Sequence, residues 1–258
     1  MVRSESRNCM LIIGTLLLAG CLGTESPGES SNTPIALRES HHGKKEKTAY
    51  VAVGNSLTAG FQNYGLRKDW QEISYPALIA RAMNVEGFEV PLIDTPGIGL
   101  KRINGKPGTP LYLDGTTIAP KPLTRSIPEM LLNTTLPRPY NNLAVPGATT
   151  LDFLTAYNSA SSQSPGNPFF NIVLRGENFG NATMLRQAVR LNPKVMTLWI
   201  GTNDILGGIT DGTVVEGVSV TPVSVYKTLM DLALDTLLDE TRSRIFIANI
   251  PGITTIPF

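Results

Sequence analysis

Histidine is all but missing from this chain. Of 258 residues only His41 and His42 carry an imidazole. Both stand in a polar stretch that offers no further ligands, so no metal centre is expected there. Cysteine is as scarce, with only Cys9 and Cys21. Removal of the residues before Cys21 would leave one thiol and no intramolecular disulfide. An excess of one charge is lacking too: 22 basic against 21 acidic residues give a net charge of +1. Without a basic cluster to neutralise a row of phosphates, nucleic acid is not an expected partner. Long apolar runs are also absent, since Met10 to Leu18 falls well short of the ~20 residues a membrane-spanning helix needs.

What is present at the start has the layout of an export signal, with Arg3 and Arg7, the apolar run, and then small residues. Leu18-Ala19-Gly20-Cys21 resembles the lipobox of bacterial lipoproteins, which implies cleavage before Cys21 and lipid attachment to it. The expected location is then the bacterial cell envelope, with the chain held to a membrane by that lipid. Residues 22–47 are rich in Ser, Gly, Glu, Pro and Lys and poor in apolar side chains. Such a segment buries too little surface to offset its ordering entropy and reads as a flexible tether. His41 and His42 lie within it as solvated linker residues. The remainder, 48–258, is one domain's length of chain with an ordinary apolar fraction.

Within that domain, Ala49 to Gly54 is a short continuous apolar run ending at glycine, the pattern of a strand buried on both faces. Similar runs occupy Asn142 to Val145, Val195 to Gly201 and Arg244 to Ile250. Helical patterns fall between them. One begins at Ser74-Tyr75-Pro76, a second covers Met184 to Leu191 and ends at Asn192-Pro193, and a third follows Thr221-Pro222. In the third, Val225, Leu229, Leu232 and Leu237 share one face at a period near 3.6. Strands alternating with helices predict an α/β domain with a parallel sheet and a site at the carboxyl ends of its strands. Residues 95–139, dense in Pro, Gly and Thr, read as an insertion lying over those ends and shaping a cleft.

The first strand runs directly into Asn55-Ser56-Leu57-Thr58-Ala59-Gly60, which places the Ser56 hydroxyl on a tight strand-to-helix turn, at the positive end of a helix dipole. Read alone, Ser56 fits a plain helix cap equally well. Two further stretches follow strands of their own. Asn142 to Thr149 puts Gly147 where backbone can approach a ligand, and Gly201-Thr202-Asn203-Asp204 presents an amide side chain. Taken singly, Gly147 is a turn glycine and Asn203 a self-bonded loop residue. Asp204 reads as the residue that holds its turn.

Together, GNSLTAG, NLAVPGAT and GTND resemble the three leading blocks of the SGNH/GDSL hydrolase family, in the family's order and over most of the chain from Tyr50 to Ile250. The resemblance implies a three-layer α/β/α flavodoxin-like fold. It also implies a catalytic Ser56, and an oxyanion hole made of the Ser56 N–H, the Gly147 N–H and the Asn203 side chain. No cofactor and no metal are implied. Asn55 stands where the family has aspartate, and an asparagine can keep similar turn hydrogen bonds.

The family's last block, an Asp-x-x-His that supplies the base, has no counterpart, because no histidine follows His42. With the apolar tail Pro251 to Phe258, this gives the expectation of a C-terminally incomplete domain that lacks its last strand and helix. The Arg244–Ile250 strand, inner in the family's order, would then be an open apolar edge. The leading reading is a serine hydrolase of a carboxylic ester, lipid or acyl-sugar, impaired as these 258 residues stand. The alternative is a non-catalytic, lipid-anchored surface protein that binds glycan or acyl groups in the same cleft. A nucleotide-binding α/β protein is disfavoured, since the first strand leads into Asn-Ser-Leu-Thr and not a glycine-rich phosphate loop.

Overall fold

The first apolar run has no polar face to show to water, and the fold buries it completely. In the computed structural model, which describes residues 48–250 and 252, Tyr50–Gly54 is a strand with every residue buried. Residues 1–47, and with them the signal, Cys21, the tether, His41 and His42, lie outside the described residues, as do 251 and 253–258.

Tyr50–Gly54 pairs in parallel with Val195–Trp199, Tyr50 opposite Val195 and Gly54 opposite Trp199. Val195–Trp199 pairs in parallel with Arg244–Ile247 on its other side. Alternation along the first strand sends its side chains to two layers. Val51 and Val53 join Phe153, Met184, Leu185, Met196, Leu198, Ala233 and Leu237 in the larger core. Tyr50 and Ala52 pack with Ala80, Ile79 and Phe88 on the opposite face. Helices therefore cover both sides. Thr150–Thr155, Met184–Leu191 and Val223–Glu240 pack together over one face, and Tyr75–Ala82 contributes to the other. The parallel α/β/α architecture expected from the sequence is present.

Two of the helices have the bounds their sequences imply. Tyr75–Ala82 starts after Ser74 with proline in its first turn, and Met184–Leu191 ends where Asn192 turns left-handed at φ 44°. The long helix Val223–Glu240 exists, but the face assigned to it needs correction. Ala233 and Leu237 are buried, and Met230 and Leu234 pack against the core. Val225 and Leu232 of the expected stripe are 46% and 55% exposed. Leu237 of that stripe is buried as expected, so the buried face keeps its C-terminal end and takes in Met230, Ala233 and Leu234 in place of Val225 and Leu232.

Asn142 to Val145 also departs from expectation, forming a single parallel bridge from Asn142 to Ala52 and no full strand. Its backbone still runs along the first strand, with Leu143 N–H bonded to Ala52 O at 2.9 Å and Val145 N–H to Gly54 O at 3.1 Å. The Asn142 side chain accepts from Ala144 N–H, a local turn that competes with regular pairing.

In the segment expected to be irregular, 95–139, Ile98–Gly99 pairs antiparallel with Gly65–Leu66 upstream of it, Arg102–Ile103 pairs with Lys106–Pro107, and Tyr112–Asp114 pairs with Thr117–Ala119. The second turns at Asn104-Gly105, both with positive φ (50° and 76°), the geometry a tight hairpin requires.

Arg244–Ile247 is the outer strand among the described residues. Phe246 and Ile247 are 54% and 51% exposed on it. Unpaired apolar edges invite pairing with other chains. Sedimentation of residues 22–258 at micromolar concentration is therefore expected to show concentration-dependent association, shifted toward monomer by Phe246→Lys. A monomeric product that unfolds in one cooperative step would contradict this.

Candidate active site

Parallel register decides where the three loops emerge. Gly54 lies opposite Trp199, so the residues after each, Asn55-Ser56 and Ile200 to Asn203, leave the same edge of the sheet. The Val145 N–H bond to Gly54 O brings the Pro146–Thr149 turn out at that edge too, on the other flank of the first strand.

Ser56 opens a one-turn helix, Ser56–Ala59, and is half-buried. Four residues carry little macrodipole, so the dipole expected behind Ser56 is slight, and any anion there must be held by individual N–H groups. The turn is fixed from several sides. Asn55 Oδ1 accepts from Leu57 N–H at 3.3 Å, and Asn142 Nδ2 donates to Thr58 O at 3.0 Å. Gly54 admits no side chain, since a Cβ there would lie 2.1 Å from Thr58 Oγ1 and 2.6 Å from Trp199 O. Asn55 keeps the turn bond expected of it, yet its buried Nδ2 has no partner among the described residues.

Gly147 has φ 85°, a conformation that favours glycine. A Cβ on it would meet Asn167 Nδ2 at 3.0 Å. Asn167 is buried, donates to Pro146 O at 2.7 Å and accepts from Phe169 N–H at 3.0 Å. It thereby ties the glycine turn to the start of the Phe169–Leu174 helix. The sequence reading did not single out Asn167. The Asn-Pro pair before an aromatic helix start was the available signal.

Asn203 opens the Asn203–Asp211 helix, and its Nδ2 donates to Ala148 O at 2.7 Å. One amide proton is thus committed to the residue after Gly147, and the other stays free for a second acceptor. Asp204 beside it is buried. Its Oδ2 accepts from Thr150 N–H and Thr150 Oγ1, both at 2.9 Å, and its Oδ1 from Thr221 Oγ1 at 3.0 Å. This is the turn-holding role expected of it, extended to two other segments. Gly147, Asn203 and Asp204 are therefore brought together. Ser56 emerges at the same sheet edge between their loops.

Among the described residues no histidine is present to serve the hydroxyl as base. Residues 48–258 contain no histidine. Asp204 spends its oxygens on Thr150 and Thr221. Tyr226, whose hydroxyl would lie 2.8 Å from a Cβ on Gly201, has its phenol pushed up by burial and by the neighbouring Asp204. It stays protonated at neutral pH. Among the described residues no three His, Cys, Asp or Glu side chains gather to hold a metal ion.

Burial raises the Asp204 carboxyl above its ordinary value, outweighing the Thr150 and Thr221 hydrogen bonds that lower it. A carboxyl raised on folding binds its proton more tightly in the native state. Its contribution to stability is therefore greatest below the unfolded pKa and is lost as pH rises toward the folded one. Asp204→Asn is expected to flatten that fall in a comparison of thermal unfolding from pH 4 to 7. It should also cost about 1–3 kcal/mol at low pH, by turning an amide donor on a donor partner. Identical pH profiles for the two proteins would contradict the assignment.

Comparison with known proteins adds one match. The family model described as GDSL-like Lipase/Acylhydrolase covers residues 50–257. No curated protein and no solved structure matches the chain. The matched span takes in the whole parallel sheet and all three loops at its carboxyl edge. The chain belongs to the GDSL-like lipase/acylhydrolase family of ester hydrolases.

Proposed function

We propose that Ser56 is the nucleophile of a carboxylic-ester hydrolase that acts through an acyl-serine intermediate. The Ser56 N–H, the Gly147 N–H and the free amide proton of Asn203 receive the developing oxyanion. The observation that carries this reading is the bond from Asn203 Nδ2 to Ala148 O at 2.7 Å. It aims the amide at the turn that follows Gly147 and fixes which proton is left to donate. Preorganised donors of this kind act without reorganisation as charge develops, and each is typically worth ~3 kcal/mol.

Chemically, Ser56 Oγ attacks the ester carbonyl carbon, the carbonyl oxygen becomes the oxyanion, and the alkoxide leaves with a proton. Water then releases the acid from the acyl-serine. Both steps need a proton acceptor near Oγ, since a serine hydroxyl is essentially fully protonated at neutral pH. Residues 43–258 hold no imidazole, so the 258-residue chain taken alone is expected to acylate slowly and turn over negligibly. The same lack supports a second reading, a lipid-anchored surface protein that binds acyl or glycan groups without reacting. We further propose attachment of the chain to the cell envelope through a lipid on Cys21, on the strength of Leu18-Ala19-Gly20-Cys21.

Single-turnover acylation by p-nitrophenyl acetate, followed by intact mass, checks the reading. Modification is expected at Ser56, absent in Ser56→Ala and slowed about 10²–10³-fold in Asn203→Ala. Steady turnover at a rate typical of intact esterases, or modification elsewhere than Ser56, would contradict it.

A further inference from the structure

The nearly balanced charge of the whole chain is spread unevenly. The insertion, 95–139, holds six basic residues against two acidic ones, Asp114 and Glu129. Lys121 pairs with Asp114 at 3.3 Å, and Arg125 with Asp94 at 2.7 Å. Lys101, Arg102 and Lys106 are exposed, and among the described residues no carboxylate lies within ion-pair distance of them.

These three cations belong to a small platform built by backbone bonds. The Arg102–Ile103 and Lys106–Pro107 hairpin is joined to the Tyr112–Asp114 and Thr117–Ala119 hairpin by a bridge from Gly108 to Pro122. The Asn63-Tyr64 turn is tied to both by Leu100 N–H to Tyr64 O at 3.0 Å and Leu111 N–H to Asn63 O at 2.7 Å. Leu113 and Ile118 are directly opposed, so they share one face of their hairpin, 67% and 69% exposed. Alternation along the strand sends Asp114 to the opposite face, where Lys121 neutralises it and also caps the Tyr112 ring at 4.5 Å. The Leu113 face is therefore left without a carboxylate. Tyr64 lines one open groove with Leu113 and Ile118, and the other lining residues, Gln62 and Asn63 included, carry no charge. Its side chain is 54% exposed, and Lys101 Nζ lies 5.1 Å from its ring.

An exposed apolar patch of this kind marks an interaction surface. Its composition selects the partner: aliphatic side chains suit hydrocarbon, a tyrosine suits the boundary between hydrocarbon and water, and unpaired cations beside them suit anionic headgroups. We propose that the Leu113–Ile118 face docks on a lipid surface that carries anionic headgroups. Leu113 and Ile118 enter the outer acyl region, Tyr64 lies at its boundary, and Lys101, Arg102 and Lys106 meet the headgroups. This contact is independent of any lipid on Cys21 and of the assignment of Ser56. It would fix which side of the domain faces the membrane, a restriction that a flexible tether does not impose.

Hydrogen–deuterium exchange of the 258-residue chain mixed with lipid vesicles tests this, because it reads the hairpin itself and not the attachment of the chain as a whole. Vesicles of equal parts phosphatidylglycerol and phosphatidylcholine are expected to slow exchange in 111–120 by about fivefold or more, and phosphatidylcholine alone by less than about twofold. Raising the salt from about 0.05 to about 0.5 M should remove most of the slowing in the unaltered chain. It should also fall below about twofold in the double variant Leu113→Asp and Ile118→Asp, whose side chains are exposed enough to leave the thermal midpoint within a few degrees. Unchanged exchange in 111–120 with phosphatidylglycerol present, equal slowing by phosphatidylcholine alone, or slowing that survives high salt or the double variant would overturn the proposal. So would equal slowing by soluble dextran sulfate, which would mark a polyanion site in place of a membrane contact.

Discussion

Two adjacent side chains fasten the third loop of this site to the second, and the proposed chemistry depends on that fastening. Asn203 donates to Ala148 O, and Asp204 accepts from both the N–H and the hydroxyl of Thr150. These three bonds reach the turn that contains Gly147 and the helix that follows it. Without them Gly147 and Asn203 would sit on separate loops, each free to drift. With them, the two loops are joined by side-chain hydrogen bonds. Three hydrogen bonds offset part of the desolvation of the buried Asp204 carboxyl and make it a clamp between segments.

The sheet supplies the other half of the constraint. A parallel pair in register ends both strands at one edge, so Ser56 and Asn203 emerge side by side although 147 residues separate the pair Tyr50 and Thr197 that hydrogen-bond beneath them. Gly54 is essential to this arrangement because the Thr58 hydroxyl and the Trp199 carbonyl occupy the space of any side chain there. Coverage differs between the two sides of the sheet: Tyr50–Gly54 is fully buried, whereas Phe246 and Ile247 on the strand at the other side are half exposed. The Ser56 turn therefore follows the most deeply buried strand of the sheet.

Much of this was legible in the residues. A continuous apolar run ending in glycine marked the first strand, and the Ser74-Tyr75-Pro76 start and the Asn192-Pro193 stop marked two helices, because strand burial and helix capping are local properties. What depended on tertiary choice was not legible. On Val223–Glu240 only packing against the core decides that Ala233 is buried beside Leu237 of the expected stripe while Val225 and Leu232 are left exposed. Asn142 diverts its stretch from regular pairing by a side-chain turn that periodicity does not reveal. The Asn104-Gly105 hairpin was readable from its turn residues and was passed over inside a segment judged by composition. At the site, the motifs located the loops, but Asn167-Pro168 and Thr221-Pro222 marked only helix starts, and the bonds of Asn167 to Pro146 O and of Thr221 to Asp204 depend on tertiary placement.

The central claim is spatial: a hydroxyl and three donors from distant parts of the chain surround one reacting centre. A crystal structure of the chain after reaction with an alkyl fluorophosphonate measures this directly. The account predicts a phosphonyl group on Ser56 Oγ whose oxygen lies about 2.7–3.1 Å from the Ser56 and Gly147 backbone nitrogens and Asn203 Nδ2. A phosphonyl oxygen turned to solvent, out of reach of Gly147 and Asn203, would contradict it.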